Sequence, residues 1–316
     1  MAFKDISLHT SLLDNIQLLG YETPTPIQEL VIPAAIEGQD LLGIAKTGSG
    51  KTASFVLPIL HRLIKKTEKA KKTRQPNVLV LVPTRELAIQ VTDVFKSFSK
   101  NLPVGIKSLA VYGGVSINPQ MKSIFGTDIL IATPGRLLDL ESSNAVDLSK
   151  VDILVLDEAD KMLNLGFQEE MQNILERIPE QRQSMLFSAT LNKKLEEIKN
   201  VLLTEPAVFE VKDQKEDTEL INLQGYFVSD ERKGPFLRYL IRIKQMKQVL
   251  VFASSRQRAD KVAGKLNKNG IQAEDGIRDS VASLGSEMCI RDSISTSCIG
   301  SNFNTKLITI HKCSCV

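Results

Sequence analysis

The segment AKTGSGKT at residues 45–52 has the composition of a loop that holds phosphate groups. Its glycines would let the backbone curl with N–H groups pointing inward, and a helix starting there would favour negative charge. Lys51 would reach the β- and γ-phosphates of a nucleotide, and the hydroxyl of Thr52 would bind Mg²⁺. The first position is Ala45 rather than the glycine of the strictest pattern. An ordinary glycine-rich turn is the alternative, and the predicted strand before the loop and helix after it favour the phosphate site.

The acidic segment DEAD at residues 157–160 follows the apolar run VDILVL. A carboxylate at the carboxyl end of a buried parallel strand lies where open α/β sheets bind ligands. Asp157 would hold Mg²⁺, and Glu158 would orient and deprotonate an attacking water. The alternative is an acidic first turn of a helix, favoured by the helix dipole; the phosphate loop about 105 residues earlier favours the chemical interpretation.

The segment SAT at residues 188–190 follows the apolar run QSMLF. Two hydroxyls after a strand are most often a turn or a helix cap. In this position they also suit a relay that senses the γ-phosphate.

Short apolar runs alternating with helical patterns would position these residues. Six runs are predicted as buried strands: 40–45, 77–82, 106–112, 128–133, 151–156 and 183–187. Residues 85–98 and 192–203 have helical periodicity and suit crossovers between parallel strands. The fold class is therefore predicted to be α/β, a RecA-like doubly wound parallel sheet with helices on both faces, followed by an incomplete second domain of the same kind.

The domain boundaries are predicted from changes in composition. Residues 1–210 form the first domain, 211–222 a charged linker and 223–272 a partial second domain, with strands at 223–229 and 248–254 and helices at 230–242 and 255–268. Residues 273–316 lack such a pattern, and AEDGIRD and SEMCIRDS within them resemble translated sequencing adapters. This tail is interpreted as non-native, a genuine but unusual tail being the alternative. The basic stretch at 65–75 is interpreted as a solvated loop, with a supplementary phosphate contact as the alternative.

Composition limits the function only loosely. The formal net charge of +3 permits a polyanionic partner without demanding one, and the absence of Trp argues against a large aromatic platform for bases. All four cysteines lie in the last 28 residues without metal-knuckle spacing, so no cysteine metal site is predicted. With no secretory signal and no run of about 18 apolar residues, a cytoplasmic protein that does not span a membrane is expected.

Taken in order, the motifs resemble those of DEAD-box ATP-dependent RNA helicases of superfamily 2, over residues 1 to about 270. GYETPTPIQ (20–28), with Phe3 lying 17 residues before Gly20, resembles the Q motif, and AKTGSGKT, DEAD and SAT resemble motifs I, II and III. PTRELA (83–88), the glycine pair 113–114 and TPGR (133–136) resemble the motifs that bind RNA, and VFASSR (251–256) resembles motif IV.

The resemblance implies that ATP and Mg²⁺ are bound and that RNA is gripped mainly through its sugar-phosphate backbone. The resemblance does not indicate which proteins this chain binds. The implied catalytic residues are Lys51, Asp157 and Glu158, with Thr52 and Asp157 on the metal. The implied nucleotide contacts are Phe3, Tyr21, Gln28, Ala45, Thr47, Gly48, Ser49, Gly50, Lys51 and Thr52. The implied RNA contacts are Pro83, Thr84, Arg85, Gly113, Gly114, Thr133, Pro134, Gly135 and Arg136. Asp160, Ser188 and Thr190 would couple the two sites.

Individually, Arg85 could instead pair with a neighbouring carboxylate, and the glycine pair could be only a turn. The family's motifs V and VI, the latter with an arginine finger worth roughly 10³–10⁵ in turnover in related enzymes, have no counterpart here. We therefore expect this chain to bind nucleotide weakly and not to unwind RNA. An ATP-controlled RNA clamp, and a nucleotide hydrolase acting on DNA or a transport substrate, are the alternative functions.

Overall fold

The computed structural model describes residues 2–65, 73–191, 193–211, 224–247, 249, 251, 253, 255–273 and 306–309. The chain divides into two compact units, Met1–Asp213 and Gln214–Val316.

The first unit alternates strands and helices. After a short 3-10 helix at Phe3–Asp5, the helices are α1 (Thr10–Leu18), α2 (Pro26–Ile36), α3 (Lys51–Lys65), α4 (Arg85–Ser99), α5 (Ile117–Ser123), α6 (Pro134–Ser142), α7 (Ala159–Asn164), α8 (Gln168–Leu175) and α9 (Lys193–Leu202). The strands are β1 (Leu41–Ile44), β2 (Val78–Leu81), β3 (Ser108–Val111), β4 (Ile129–Ala132), β5 (Ile153–Leu156), β6 (Gln183–Ser188) and β7 (Ala207–Glu210).

These seven strands form one parallel sheet in the order β3-β4-β2-β5-β6-β1-β7. Every predicted strand of this unit is present, so the α/β prediction is confirmed. β7 was not predicted. It is an edge strand in which half-buried and exposed residues alternate, so it lacks the continuous apolar run that marks the central strands.

Alternate residues of each central strand point to opposite faces of the sheet. One core contains Val78, Val80 and Phe187 together with apolar side chains of α1 to α4. The other contains Leu79, Leu81 and Leu186 together with apolar side chains from α6 to α9. Both faces of the sheet are therefore covered, which explains why β2, β4 and β5 have apolar residues at every position.

In the second unit the described elements are β8 (Gly225–Val228), a short 3-10 helix at Asp230–Arg232, α10 (Lys233–Ile243), α11 (Arg256–Asn267) and β9 (Lys306–Thr309). Leu237, Ala263, Leu266 and Ala273 form a small core there. β8 pairs antiparallel with β9, so the prediction of no strand after residue 272 is wrong at this point: KLIT contains the β-branched residues that suit a strand.

Several predictions fall wholly or partly outside the described residues. They concern most of the basic stretch 65–75, most of the linker, alternate residues of the strand at 248–254 and of VFASSR, and the four cysteines. Among the described residues, no helix is both long enough and apolar enough to span a lipid bilayer.

Candidate functional site

Three neighbouring strands bring the phosphate loop, the acidic segment and the SAT segment to one edge of the sheet. β5, β6 and β1 are adjacent, and all three segments follow the carboxyl ends of their strands. The backbone N–H of Ala45 donates to the carbonyl of Ser188 at 3.1 Å, and that of Asp157 donates to Leu81 at 3.0 Å. Open parallel sheets bind ligands at this edge, and the three predicted segments converge there.

The phosphate loop has a backbone that its glycines make possible. Gly48 and Gly50 have φ angles of +84° and +92°, in the left-handed region that side chains disfavour. A Cβ atom on Gly50 would also lie 2.4 Å from Nε2 of Gln28, which no real Cβ contact allows. The loop then enters α3, a helix of 15 residues that begins at Lys51. A helix N-terminus behind such a loop favours bound phosphate.

The carboxamide of Gln28 ties α2 to this loop. Its Oε1 accepts the backbone N–H of Thr25 at 3.0 Å, and its Nε2 donates to the carbonyl of Gly50 at 3.1 Å. The side chain is only 2% exposed. One amide N–H and one oxygen lone pair stay uncommitted in these two bonds, so a nucleotide base could be bound without breaking either of them.

Lys51 folds back onto its own loop. Its Nζ donates to the carbonyls of Ala45 and, at 3.0 Å, of Lys46. Burial lowers the pKa of Lys51, and the nearby carboxylates of Asp157, Glu158 and Asp160 oppose that change. The ammonium group therefore lies within the electrostatic reach of the acidic segment.

Asp157 is the most perturbed acid of the site. Burial, followed by the like charge of Glu158, raises its pKa to about 7, with the charge of Lys51 acting in the opposite direction. Its Oδ1 accepts the N–H of Glu158 at 2.9 Å. A buried carboxylate with this pKa gains its charge most easily when a cation is placed beside it.

Glu158 has a left-handed backbone, with φ 52° and ψ 46°, immediately before α7. Such a conformation costs a non-glycine residue about 1–3 kcal/mol and is found most often at functional sites. Its carboxylate is paired with Lys161 at 2.9 Å. This lysine was not predicted; its spacing three residues after Glu158 was the available signal.

These residues fit ATP and Mg²⁺. In the described part of the chain, the hydroxyl oxygen of Ser49 is buried without a hydrogen-bond partner, so the loop has a polar group ready for a phosphate oxygen. No cluster of three or more potential metal-ligand side chains occurs among the described residues. Mg²⁺ typically uses one or two carboxylates together with water and substrate phosphates, and Asp157 with the Thr52 hydroxyl would supply the protein's share of such a site.

A side-chain hydrogen bond connects the acidic and SAT segments. Thr190 donates its hydroxyl to Oδ2 of Asp160 at 3.1 Å. Ser188, fully buried, donates to the carbonyl of Thr190 at 2.8 Å. Asp160, Ser188 and Thr190, predicted as coupling residues, therefore form one network.

The other half of the same edge carries the segments predicted to bind RNA. β2, β4 and β3 are adjacent, and the segments beginning at Pro83, Thr133 and Gly113 follow their ends. Thr84 caps α4, its Oγ1 accepting the N–H of Leu87 at 3.2 Å, and Pro134 is the first residue of α6, followed by Gly135. The sheet edge therefore divides into two parts. The nucleotide half carries the segments predicted to bind the nucleotide, and the RNA half carries the segments predicted to bind RNA and has two helix N-termini.

Gln120, outside every predicted motif, holds the glycine pair in place. Its Oε1 accepts the N–H of Tyr112 at 3.0 Å and its Nε2 donates to the carbonyl of Tyr112 at 3.1 Å. The guanidinium of Arg85 lies 5.1 Å from the centre of the Tyr112 ring. Gly114 follows with φ +81°. No local pattern in the sequence marked Gln120.

Arg136 holds the far side of this loop. It is only 9% exposed and donates to the carbonyl of Val115 at 2.9 Å, while its Nε is 3.4 Å from Asp139. Its Nη1 is buried without a partner among the described residues. The loop therefore covers most of the Arg136 side chain. The Nη1 group of its guanidinium is the donor that a ligand could still use.

Phe3 and Tyr21, predicted to contact the nucleotide, lie in different surroundings. Phe3 is 5% exposed and belongs to the core beside α1. Tyr21 is 45% exposed and packs on Phe98, with ring centres 5.4 Å apart. Tyr21 therefore has an accessible ring, whereas Phe3 contributes to packing.

Comparisons with known proteins agree with these motifs. A family model described as DEAD/DEAH box helicase matches residues 25–198. The chain is 38% identical over 275 residues to the DEAD-box ATP-dependent RNA helicase CshA of Streptococcus pneumoniae, covering 87% of this chain and 51% of the relative. It is 38% identical over 269 residues to the ATP-dependent RNA helicase DeaD of Escherichia coli, covering 85% and 42%. The chain therefore spans about half the length of these relatives.

A solved structure has the same architecture. The crystal structure of a DEAD box protein from the hyperthermophile Methanococcus jannaschii matches with a TM-score of 0.62 and 31% identity, over 85% of this chain and 71% of that one.

Proposed function

Since the chain belongs to the DEAD/DEAH box helicase family, we propose that it is part of an ATP-dependent RNA helicase, in which RNA-stimulated ATP hydrolysis is coupled to local unwinding of an RNA duplex. The observation that carries this proposal is the division of one sheet edge. Nucleotide-type segments follow β1, β6 and β5, and the segments beginning at Pro83, Thr133 and Gly113 follow β2, β4 and β3.

In this proposal the residues of the nucleotide half bind different parts of ATP. The loop from Ala45 to Thr52 binds the phosphates, and Lys51 leaves the carbonyls of its own loop to reach them. Gln28 binds the base. When bound, Mg²⁺ would neutralise phosphate charge and polarise the phosphate oxygens.

The acidic residues would then perform the chemistry. Asp157, which must lose its proton, would hold the metal, and Glu158 would orient the attacking water and take its proton. The hydrogen bond from Thr190 to Asp160 links this centre to the SAT segment. Through that link the SAT segment would respond to the state of the phosphates.

RNA would be bound through its backbone. Helix N-termini at Arg85 and Pro134 and the exposed backbone of Gly113–Gly114 suit phosphate and sugar oxygens. Such contacts recognise the shape of the strand and its 2′-hydroxyls rather than its sequence.

We infer that the 316-residue chain alone binds ATP weakly and does not unwind, because it has no counterpart of motifs V and VI. The test is to measure ATP binding, ATP hydrolysis with RNA or with DNA of the same sequence, and unwinding of a short duplex. We expect weak ATP binding that Lys51→Met weakens further, and no unwinding. Binding unchanged in Lys51→Met would refute the site, and unwinding by the chain would refute its inactivity. An RNA clamp would instead give slow, ATP-dependent RNA release without unwinding.

A further inference from the structure

A cavity of about 480 Å³ lies at the edge of the sheet opposite the phosphate loop. Its walls come from the last turns of α2 and α3 and from the residues that lead into β5 and β6. α3 starts in the phosphate loop and reaches this cavity 15 residues later, a length of roughly 22 Å at the helical rise. The cavity is therefore separate from the nucleotide site.

Three cationic side chains line the cavity: Arg62, Lys65 and Arg182. Arg62 donates to Oε1 of Gln183 at 3.2 Å, and Arg182 donates to the carbonyl of Pro179 at 2.6 Å. Within the part of the chain that the structure describes, none of the three cations forms an ion pair with a carboxylate. Most of their N–H donors are thus uncommitted.

His61 adds a donor to the same wall. It is 4% exposed, and its Nδ1 accepts the backbone N–H of His9 at 2.9 Å. A neutral imidazole that accepts at Nδ1 must have its proton on Nε2. That Nε2, like Nε of Arg182, is buried without an acceptor among the described residues.

The helix dipole explains only part of this arrangement. Arg62 and Lys65 lie in the last turn of α3, where the dipole favours positive charge. The dipole provides no hydrogen-bond acceptor for Nε2 of His61 or Nε of Arg182, which are the two donors of this cavity that are buried without an acceptor. Buried donors are almost always satisfied by a partner, either protein or ordered water, and a ligand with several acceptor oxygens would satisfy both donors at once.

We propose that this cavity binds a small molecule that carries a phosphate group. The phosphate oxygens would accept N–H groups of Arg62, Lys65 and Arg182, with the ring N–H of His61 reached by a small shift of its side chain. The cavity volume lies within the range of small-molecule sites. Glu37 and Asp152 also line it and would repel the successive phosphates of a nucleic-acid strand, which favours a compact ligand.

The test is a titration of the full chain carrying Lys51→Met, which weakens binding at the phosphate loop, with inorganic phosphate. The ring signals of His61 and the Nε signal of Arg182 are followed by NMR. We expect saturable shifts of these signals, and a loss of affinity of about tenfold or more in Arg182→Gln, because a hydrogen bond to a charged group is lost. Lys122→Gln, an exposed lysine on α5, is the matched control and should bind phosphate unchanged.

A second variant covers the case in which Arg182→Gln fails to fold. Arg62→Gln, whose thermal unfolding is measured in parallel, should show the same loss. Adenosine monophosphate should shift the same signals, whereas a short RNA should not compete with it. Shifts produced equally by chloride at matched ionic strength, unchanged affinity in both arginine variants, or binding of RNA alone would each overturn the proposal.

Discussion

The hydroxyl of Thr190 donates a hydrogen bond of 3.1 Å to Oδ2 of Asp160, joining the turn after β6 to the first turn of α7. The other oxygen of Asp160 accepts the N–H of Lys161, also at 3.1 Å. Since Asp160 is 7% exposed, water has little access to replace a lost donor. This bond is the direct side-chain link between the acidic and SAT segments.

Thr190→Val should remove that bond at nearly constant volume. We expect a loss of about 1–2 kcal/mol in the free energy of unfolding, because a mostly buried carboxylate oxygen loses its donor. Urea unfolding measures it. Thr204→Val, at an exposed position, is the control and should cost far less. An equal cost in both variants would show that the bond contributes nothing.

Gly50→Ala should damage the phosphate loop more than Gly48→Ala. Both glycines have φ near +90° and share the backbone strain of the substitution. Only at Gly50 would the new Cβ meet a side chain, that of Gln28, whereas nothing lies within 4 Å of the position at Gly48. Thermal unfolding and ATP affinity of the two variants should therefore separate. Similar melting temperatures and ATP affinities in the two variants would mean that the Gln28 side chain moves away from the new methyl group at little cost.

Lys51→Met should weaken ATP binding about 10- to 100-fold, the effect of losing a hydrogen bond to a charged group. Its folding stability should be retained, because burial already disfavours the charge of Lys51. Calorimetric titration with ATP and thermal unfolding test the two parts separately. Marked unfolding of Lys51→Met would show that its bonds to the loop carbonyls are structural.

Mg²⁺-dependent nucleotide binding should strengthen as pH rises from 6 to 8. Mg²⁺ needs the ionised carboxylate, and the folded pKa of Asp157 is about 7 against 3.8 when it is free in solution. Between pH 4 and 7 the carboxyl of Asp157 is therefore protonated in the folded state and ionised in the unfolded state. The free energy of unfolding that Asp157 contributes thus falls as pH rises through that window. Mg²⁺ affinity should improve about tenfold between pH 6 and 8 in the wild type. Asp157→Asn should show a flat profile, and a flat profile in the wild type would contradict the prediction.

Gln120→Ala should lower RNA affinity without changing ATP affinity. The variant loses both bonds to Tyr112, which frees the loop that contains Gly113 and the ring on which Arg85 rests. Fluorescence anisotropy with a short labelled RNA measures the change, and we expect about a tenfold loss. Gln120→Glu keeps the acceptor alone and should be intermediate. If ATP affinity falls as well, Gln120 supports the whole sheet edge rather than this loop.

Much of the nucleotide half could be predicted from the sequence. Its strands contain short apolar runs because both faces of the sheet are covered, and the phosphate loop is fixed by the local chemistry of glycine, lysine and threonine. Asp157 follows its strand directly, so its place at the sheet edge required no knowledge of distant contacts. The edge strand β7 was missed because its apolar run, AVF at 207–209, is only three residues long and follows Glu205 and Pro206.

Contacts between distant residues could not be predicted. The bonds from Gln120 to Tyr112 and from Gln28 to Gly50 join residues 8 and 22 positions apart, and neither spacing leaves a periodic signal. Burial of Arg136 and Phe3 likewise depends on tertiary packing. Charged or aromatic residues in a motif predict that the segment matters, but not which side chains face a ligand.

The order of the strands has a consequence for synthesis on the ribosome. Among the described strands, β1, which leads into the phosphate loop, pairs with β6 and β7, whose residues come about 140 to 165 positions later. At roughly 5–20 residues per second, the nascent chain waits on the order of ten seconds or more with both edges of LLGI unpaired. The nucleotide site is therefore among the last parts of the first unit to form, and the growing chain depends during that interval on protection of this strand from aggregation.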